Sequence, residues 1–187
     1  MIEGPLDLGY ESITGEVSIK NSEFLHNIDF SNATAERAID FSETTFRGNV
    51  SFSKATMKGP LCCEGAVFKK QANFVGAEFQ ETIRSGPAAS RTVPTTFEKL
   101  ANFQYCSVAD VADFEGVTFH EAAVFAEAKI AAAHFVSARF KAEATFFGID
   151  INGNADFGYV WKEEQGRGSV FEGECVFYGT HVGRSAL

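Results

Sequence analysis

The sequence predicts an all-β solenoid, because large apolar residues recur at a short fixed period along most of the 187-residue chain. Phenylalanine occupies two columns, each with a spacing of eleven residues. The columns begin with Phe30, Phe41, Phe52 and with Phe24, Ala35, Phe46. A small or β-branched residue lies two positions before each large one, and turn-forming residues such as Gly65 and Gly76 lie between them. A fixed short period indicates a solenoid in which neighbouring repeats stabilise one another.

An α-helix does not fit this pattern. At about 100° per residue, the apolar positions of one eleven-residue block lie on opposite sides of a helix. Gly48, Gly59 and Gly153 also recur at block ends, and glycine destabilises helix interiors. The alternation of a small apolar, a polar and a large apolar residue has period two, which is typical of a strand. Each block is therefore predicted to be a short strand, a turn and a second short strand.

The segments AIDFSETTF, QANFVGAEF and VADFEGVTF share the unit Ala-(Asp/Asn)-(Leu/Phe)-x-x, and large residues alternate at spacings of five and six over residues 13–177. The sequence therefore resembles the pentapeptide-repeat protein family, in the subgroup with Phe-rich repeats. The resemblance implies a right-handed quadrilateral β-helix with four units per coil. Two blocks then form one coil of about 22 residues, which gives about seven coils. Residues 22 apart, such as Phe30 and Phe52, are expected to stack.

The pattern predicts a single domain over residues 1–187. It breaks at about residues 82–95, which contain Gly86, Pro87 and Pro94, and resumes at Phe97. We interpret this break as an inserted surface loop. Residues 165–187 contain a degenerate repeat, which we interpret as a C-terminal cap, because an open coil exposes strand edges and core.

The composition of the chain argues against several classes of function. The net charge of −9 argues against direct binding of nucleic acid, which requires clustered Lys and Arg. Residues 1–10 contain no apolar run and no stretch is long enough to span a bilayer, so we expect a cytoplasmic protein with no membrane contact. No zinc-like spacing relates the cysteines, and we expect no metal or cofactor.

The sequence contains no catalytic constellation. Its four histidines are scattered, and no metalloprotease, serine-hydrolase, phosphate-loop or dinucleotide motif is present. We therefore predict that the protein is not an enzyme and has no catalytic residues.

Five residues are candidates for partner contact. Arg84 and Arg91 lie in the predicted loop, and Phe147 occupies an outward position. Tyr159 and Trp161 lie near the C-terminal end, where these aromatic side chains either cover the last coil or form a homodimer contact.

Asp and Asn residues precede many of the large inward residues. They are Asp7, Asp29, Asp40, Asn73, Asn102, Asp113 and Asp156. Asx side chains at corners accept hydrogen bonds from nearby backbone amides, which gives them a structural role. Alternatively, rows of stacked carboxylates imitate DNA phosphates. The rows are interrupted by Ser18, Ser51, Cys62 and Val124.

Two functions are in competition. The first, which we prefer, is a non-enzymatic scaffold whose partner is another protein. The second is implied by the resemblance, because some pentapeptide-repeat proteins mimic DNA and bind DNA gyrase or topoisomerase IV. The acidic balance and the loop favour mimicry, whereas the interrupted acidic rows argue against it.

Overall fold

A computed structural model gives the structure of residues 1, 3–86, 94–158, 168–183 and 185–186. Their regular secondary structure consists of short β-strands, most of them two residues long, and the strands pair in parallel. Successive strands occupy four faces of a rod in turn. Each strand then pairs with the strand on the same face one coil later.

Each face of the rod is a column of strands, one from each coil. The first face contains Leu6–Asp7, Ile28–Asp29, Val50–Ser51, Ala72–Asn73, Ala101–Asn102, Ala123–Val124, Ala144–Thr145 and Cys175–Val176. The second contains Ser12–Ile13, Thr34–Ala35, Thr56–Met57, Glu78–Phe79, Asp150–Ile151 and His181–Val182. The third contains Val17–Ser18, Ile39–Asp40, Leu61–Cys62, Ile83–Arg84, Asn154–Asp156 and Ser185–Ala186. The fourth contains Glu23–Phe24, Thr45–Phe46, Val67–Phe68, Thr96–Phe97, Thr118–Phe119, Arg139–Phe140 and Val170–Phe171.

Two longer strands join the second face to the third. Ser107–Asp113 and Lys129–His134 each run around this corner, so both faces belong to one 14-stranded sheet. Their register shifts between Val108 and Val111, because the corner of Lys129–His134 has one residue fewer. Partners in this coil are therefore 21 positions apart, as in Thr118 with Arg139 and Ala123 with Ala144.

The coil length matches the prediction. Leu6 pairs with Ile28, and Ile28 pairs with Val50, so residues 22 apart lie side by side in neighbouring coils. Numbered by their first-face strands, seven coils are complete and an eighth begins at Cys175. The predicted β-solenoid of about seven coils is therefore confirmed.

Stacked phenylalanine rings fill the interior beneath the first and fourth faces. Phe30, Phe52 and Phe74 form the predicted ladder, with ring centroids 4.8 and 5.3 Å apart and nearly parallel planes. This first-face ladder continues through Phe103, Phe125, Phe146 and Phe177. Each stacked pair adds about 0.5–1.5 kcal/mol beyond the burial of its apolar area.

The interior columns beneath the second and third faces compensate each other in volume. In coils 2, 3 and 4, the residues facing inward from these two faces are Ala35 with Phe41, Met57 with Cys63, and Phe79 with Ser85. All six are at most 3% exposed. A larger residue on one side thus accompanies a smaller one on the other, which keeps the interior at native packing density.

Gly48 and Gly59 are required by the close approach of neighbouring coils. A Cβ atom on Gly48 would lie 2.4 Å from the backbone carbonyl carbon of His26, and one on Gly59 would lie 2.5 Å from that of Arg37. Any larger residue would force adjacent coils apart at these corners. This contact explains the glycines that the sequence places at block ends.

The interruption predicted at residues 82–95 is shorter in the structure. Ile83 is buried. The strand Ile83–Arg84 pairs with Leu61–Cys62 of the preceding coil, 22 positions earlier, which is the regular coil length. Val67 pairs with Thr96, so this coil is longer than a regular one by (96 − 67) − 22 = 7 positions, which lie between Gly86 and Thr95. The sequence pattern missed Ile83 because Ser85, rather than a large apolar residue, follows it in the interior column.

The segment predicted as a cap at residues 165–187 continues the solenoid in its described part. Val170–Phe171 pairs in parallel with Arg139–Phe140, and Cys175–Val176 pairs with Ala144–Thr145. The pairing of Arg139 with Val170 requires a second insertion of (170 − 139) − 22 = 9 positions, which lie between Gly158 and Ser169. This insertion lies at the same corner as the first, between the third and fourth faces.

The first insertion is predicted to be dispensable for folding. Replacing residues 87–94 by one glycine restores the five-residue spacing from Ser85 to Phe97, and glycine tolerates the positive φ of this type of corner. We expect the midpoint of thermal unfolding to change by less than about 4 °C, which corresponds to about 1 kcal/mol for a chain of this size.

A variant that also lacks Gly86 provides the matched control. It leaves one residue too few at the corner and should lose the cooperative transition monitored by circular dichroism. Equal damage in both variants would contradict the assigned register.

Candidate interaction surfaces

Six ion pairs join outward-facing charges of neighbouring coils. The ion pairs are Lys20–Asp40, Glu23–Arg47, Glu36–Lys58, Glu64–Arg84, Lys69–Glu98 and Lys99–Glu121. In each pair the two residues belong to adjacent coils. Such exposed pairs contribute about 0–1 kcal/mol each. Their main consequence is that the surface carries both signs of charge.

The Asx column caps the corners of the rod. All seven Asp and Asn side chains accept a hydrogen bond from the backbone N–H two residues later, at 2.7–3.1 Å. Partial burial alone would raise the pKa of Asp40, but hydrogen bonds from Lys20 and Ser42 hold this pKa below its usual value. These contacts support the structural role of the column.

Carboxylates on the third face do not form a continuous row. Along successive coils, this outward position is occupied by Asp40, Cys62, Arg84, Asp113, His134 and Asp156. A thiol, a cation and an imidazole thus interrupt the carboxylates. Burial and the neighbouring Asp113 raise the pKa of Glu115.

Arg84 is half-exposed on the third face. Its Nε lies 3.7 Å from Oε1 of Glu64 in the preceding coil. This position is three coils away from Phe147, which lies at the corner between the first and second faces. The two candidate residues therefore do not form one site.

Arg91, Tyr159 and Trp161 lie outside the described residues. Their predicted contacts remain sequence-based expectations.

Phe147 has an aromatic partner that the sequence did not indicate. Its ring is stacked against Tyr178 of the next coil, with centroids 5.9 Å apart and planes inclined by 16°. Phe147 is 42% exposed and Tyr178 is 78% exposed. The nine-residue insertion hides this pairing, because it places the two residues 31 rather than 22 positions apart.

These two rings belong to a wider apolar patch on the first face of coils 6–8. We define this apolar patch as Val124, Ala126, Thr145, Phe147, Val176 and Tyr178. Parallel pairing aligns Val124 with Thr145 and Thr145 with Val176, so the six residues form two columns over three coils. Within these columns Phe147 and Tyr178 are exposed, Val124, Thr145 and Val176 are partly exposed, and Ala126 is buried.

The apolar patch begins where the polar corner caps end. In coils 1–5 the same first-face position holds Asp7, Asp29, Ser51, Asn73 and Asn102. Val124 and Val176 carry no acceptor for the amide two residues later, and Thr145 reaches the amide of Phe147 at only 3.4 Å. The replacement of Asx by Val at this position was the sequence signal for the patch.

Other features offer little chemistry. A shallow depression of about 250 Å³ on the second face is lined by Ser107, Ala109, Lys129, Ala131 and Asn152, among others. It is smaller than the usual range for small-molecule sites, about 300–1,000 Å³.

The thiols are held in their protonated form. Burial raises the pKa of Cys106 to about 12 and that of Cys175 to about 11, and it raises the pKa of Cys63 further. A thiol is a poor nucleophile, because the thiolate is the reactive form.

Within the described ranges, no group of three or more His, Cys, Asp or Glu side chains is arranged to hold a metal ion. The same part of the chain contains no helix that is long and apolar enough to span a membrane.

A family model described as pentapeptide repeats (9 copies) matches residues 19–61 and 103–150. The unmatched stretch between these spans contains Cys63 and Ser85, which replace large residues in the interior column, as well as the seven-residue insertion. No match was found among curated proteins or among solved structures.

The matched spans and the structure agree on the repeat unit. Five-residue units follow one another around four faces, and large residues such as Phe30 and Phe46 stack on their counterparts in the next coil. The chain belongs to the pentapeptide-repeat family.

Proposed function

We propose that this chain is a non-enzymatic scaffold that binds another protein through the apolar patch on coils 6–8. The observation that carries the proposal is the exposure of Phe147 and Tyr178 on a rigid, parallel-paired surface. Exposed aromatic side chains are enriched at the energetic centres of protein interfaces. A preformed surface also avoids much of the entropy lost when a flexible site binds.

The interior supports a structural rather than a catalytic role. Stacked phenylalanine rings occupy the bore, and the buried thiols have raised pKa values. The outward Asx side chains are engaged in capping. Asp29 and Cys106, whose residue types often take part in catalysis, thus serve here in a corner cap and in the core.

One observation favours a second candidate, the DNA mimic that binds DNA gyrase or topoisomerase IV. In coils 4 and 5, the joined second and third faces carry Glu78, Glu81, Asp110, Asp113 and Glu115. Arg84 lies in this acidic region, and ion pairs between coils reduce the negative charge elsewhere. We therefore rank mimicry second.

A site-specific photo-crosslinker tests the scaffold proposal. With the reactive side chain at position 147, we expect discrete crosslinked products in the cells that produce the protein. The matched control is the same side chain at position 10, because Tyr10 is exposed at the same corner in coil 1. Products of equal yield at both positions would contradict a role for the apolar patch, and a product made only of this chain would indicate a homodimer instead.

A DNA supercoiling assay with purified gyrase tests mimicry. We expect no change in supercoiling at micromolar concentrations of the protein, because the acidic rows are interrupted. The variant with residues 87–94 replaced by one glycine is measured in parallel. Inhibition by the natural chain, reduced by this replacement, would establish the second candidate in place of the first.

Introducing Asn at position 124 tests whether the apolar patch is maintained at the expense of stability. The new side chain can cap the amide of Ala126, as Asn102 caps Gln104 one coil earlier. We expect Val124→Asn to raise the free energy of unfolding by about 0.5–1 kcal/mol and to reduce crosslinking at position 147.

Val124→Ala is the control for this change, because it removes the valine without adding a cap. If Val124→Asn is no more stable than Val124→Ala, the cap makes no measurable contribution at this corner. Stability in both cases is measured by chemical denaturation.

A further inference from the structure

Acidic side chains lie on both sides of the apolar patch, and the exposed Lys129 and Lys141 each lie two residues from one of them. Glu143 and Glu174 lie beside it, at the corner between the fourth and first faces, and Glu127 lies at the corner between the first and second faces. From this arrangement we infer that the patch binds a protein segment in which Lys or Arg side chains flank apolar ones. This inference rests on the proposed scaffold function and specifies the chemistry of its partner.

Glu143 and Glu174 are like charges in register. Ala144 pairs with Cys175, so the glutamates that precede them lie side by side in coils 7 and 8. Some other registered neighbours have opposite charges, as in Glu36–Lys58 and Lys99–Glu121, whereas Asp7 and Asp29 form another like-charged pair. Within the described part of the chain, neither Glu143 nor Glu174 forms an ion pair. A cation from a partner would relieve their repulsion.

Glu127 borders the other side of the apolar patch. Its Oε1 accepts a hydrogen bond from the Tyr105 hydroxyl at 3.3 Å. This contact positions the carboxylate at the edge of the patch and leaves Oε2 available. A Lys or Arg side chain of the partner therefore has an anionic group on each side of the apolar columns.

The stacked rings of Phe147 and Tyr178 add a further attraction for a cation. A Lys or Arg above the face of an aromatic ring is attracted by the ring quadrupole. The stems of the same side chains can pack on Val124 and Val176. Aromatic rings, apolar contacts and carboxylates thus favour the same kind of partner residue.

The size of the apolar patch favours a short segment as the anchor. Strand spacing places its outermost coils about 10 Å apart. A typical interface between two folded proteins buries about 800 Å² on each partner, which is far more than this array offers. A short segment that places a few large side chains on the patch fits the available area.

A second copy of this chain fits the same surface poorly. A two-fold symmetric contact through the apolar patch would bring the Glu127, Glu143 and Glu174 side chains of both copies together. Like charges placed opposite each other weaken an interface. The surface therefore favours a cationic partner over self-association.

Binding to three synthetic peptides of about ten residues tests this inference. The first has a Phe-Leu-Phe centre with two Lys on each side, the second replaces Lys by Glu, and the third replaces the centre by Ser. Affinity for the full chain is measured by calorimetry. We expect the Lys peptide to bind at least about tenfold more tightly than either of the others, and to weaken as salt is added.

Two double variants locate the binding. F147S/Y178S should weaken the Lys peptide by at least about tenfold, and E143Q/E174Q by about three- to tenfold. Each has a matched control elsewhere on the rod: Y10S for the aromatic change and E78Q/E81Q for the charge change. Both controls should alter the affinity by less than about twofold, and thermal unfolding shows that each variant is folded.

The possible results separate the two proposals. Binding of the Glu peptide that depends on Phe147 and Tyr178 would overturn the cationic partner and retain the docking surface. Equal weakening by E78Q/E81Q and E143Q/E174Q would show attraction to the acidic protein in general, and would also overturn the inference. If none of the peptides binds, the inference fails, while crosslinking at position 147 decides the scaffold proposal independently.

Discussion

Parallel pairing of each strand with the strand one coil later is the constraint on which the rest of the structure depends. It places every side chain above its counterpart in the preceding coil. Inward-facing positions therefore become stacks of rings, and outward-facing positions become rows with a spacing of about 4.8 Å. The phenylalanine ladders, the ion pairs between coils and the apolar patch all follow from this register. The two insertions preserve it by adding residues only at a corner.

The register also separates the requirements of the interior from those of the surface. Inside, the volume at one column depends on the volume across the bore, as Phe79 and Ser85 illustrate. Outside, a side chain contacts mainly its neighbours in the same row. Coils 6–8 could therefore exchange capping residues for Val124 and Val176 while the ladder beneath them continued through Phe125 and Phe146. Surface variation of this kind is compatible with a constant core, which suits a binding scaffold.

The sequence predicts the fold well because the interior uses one dominant residue type at one period. The surface is harder to predict, since exposure and pairing depend on coils that are distant in sequence. Phe147 was identified as outward-facing, but its contact with Tyr178 was hidden by the second insertion. Likewise, Ile83 was assigned to a loop because the next interior residue, Ser85, is small, whereas most interior columns are recognised by a large apolar residue. The acidic border of the patch emerged only when Glu143 and Glu174 were placed in register.

Both insertions interrupt the same edge of the rod, between the third and fourth faces. That edge is diagonally opposite the one where Phe147 and Tyr178 are exposed. A molecule that contacts the edge between the third and fourth faces and a molecule bound at the aromatic edge would approach from opposite directions. Neither would block the other sterically, so the geometry allows one rod to bridge two partners. The distance between them would be set by the width of the solenoid, because no flexible linker joins the two edges within a coil.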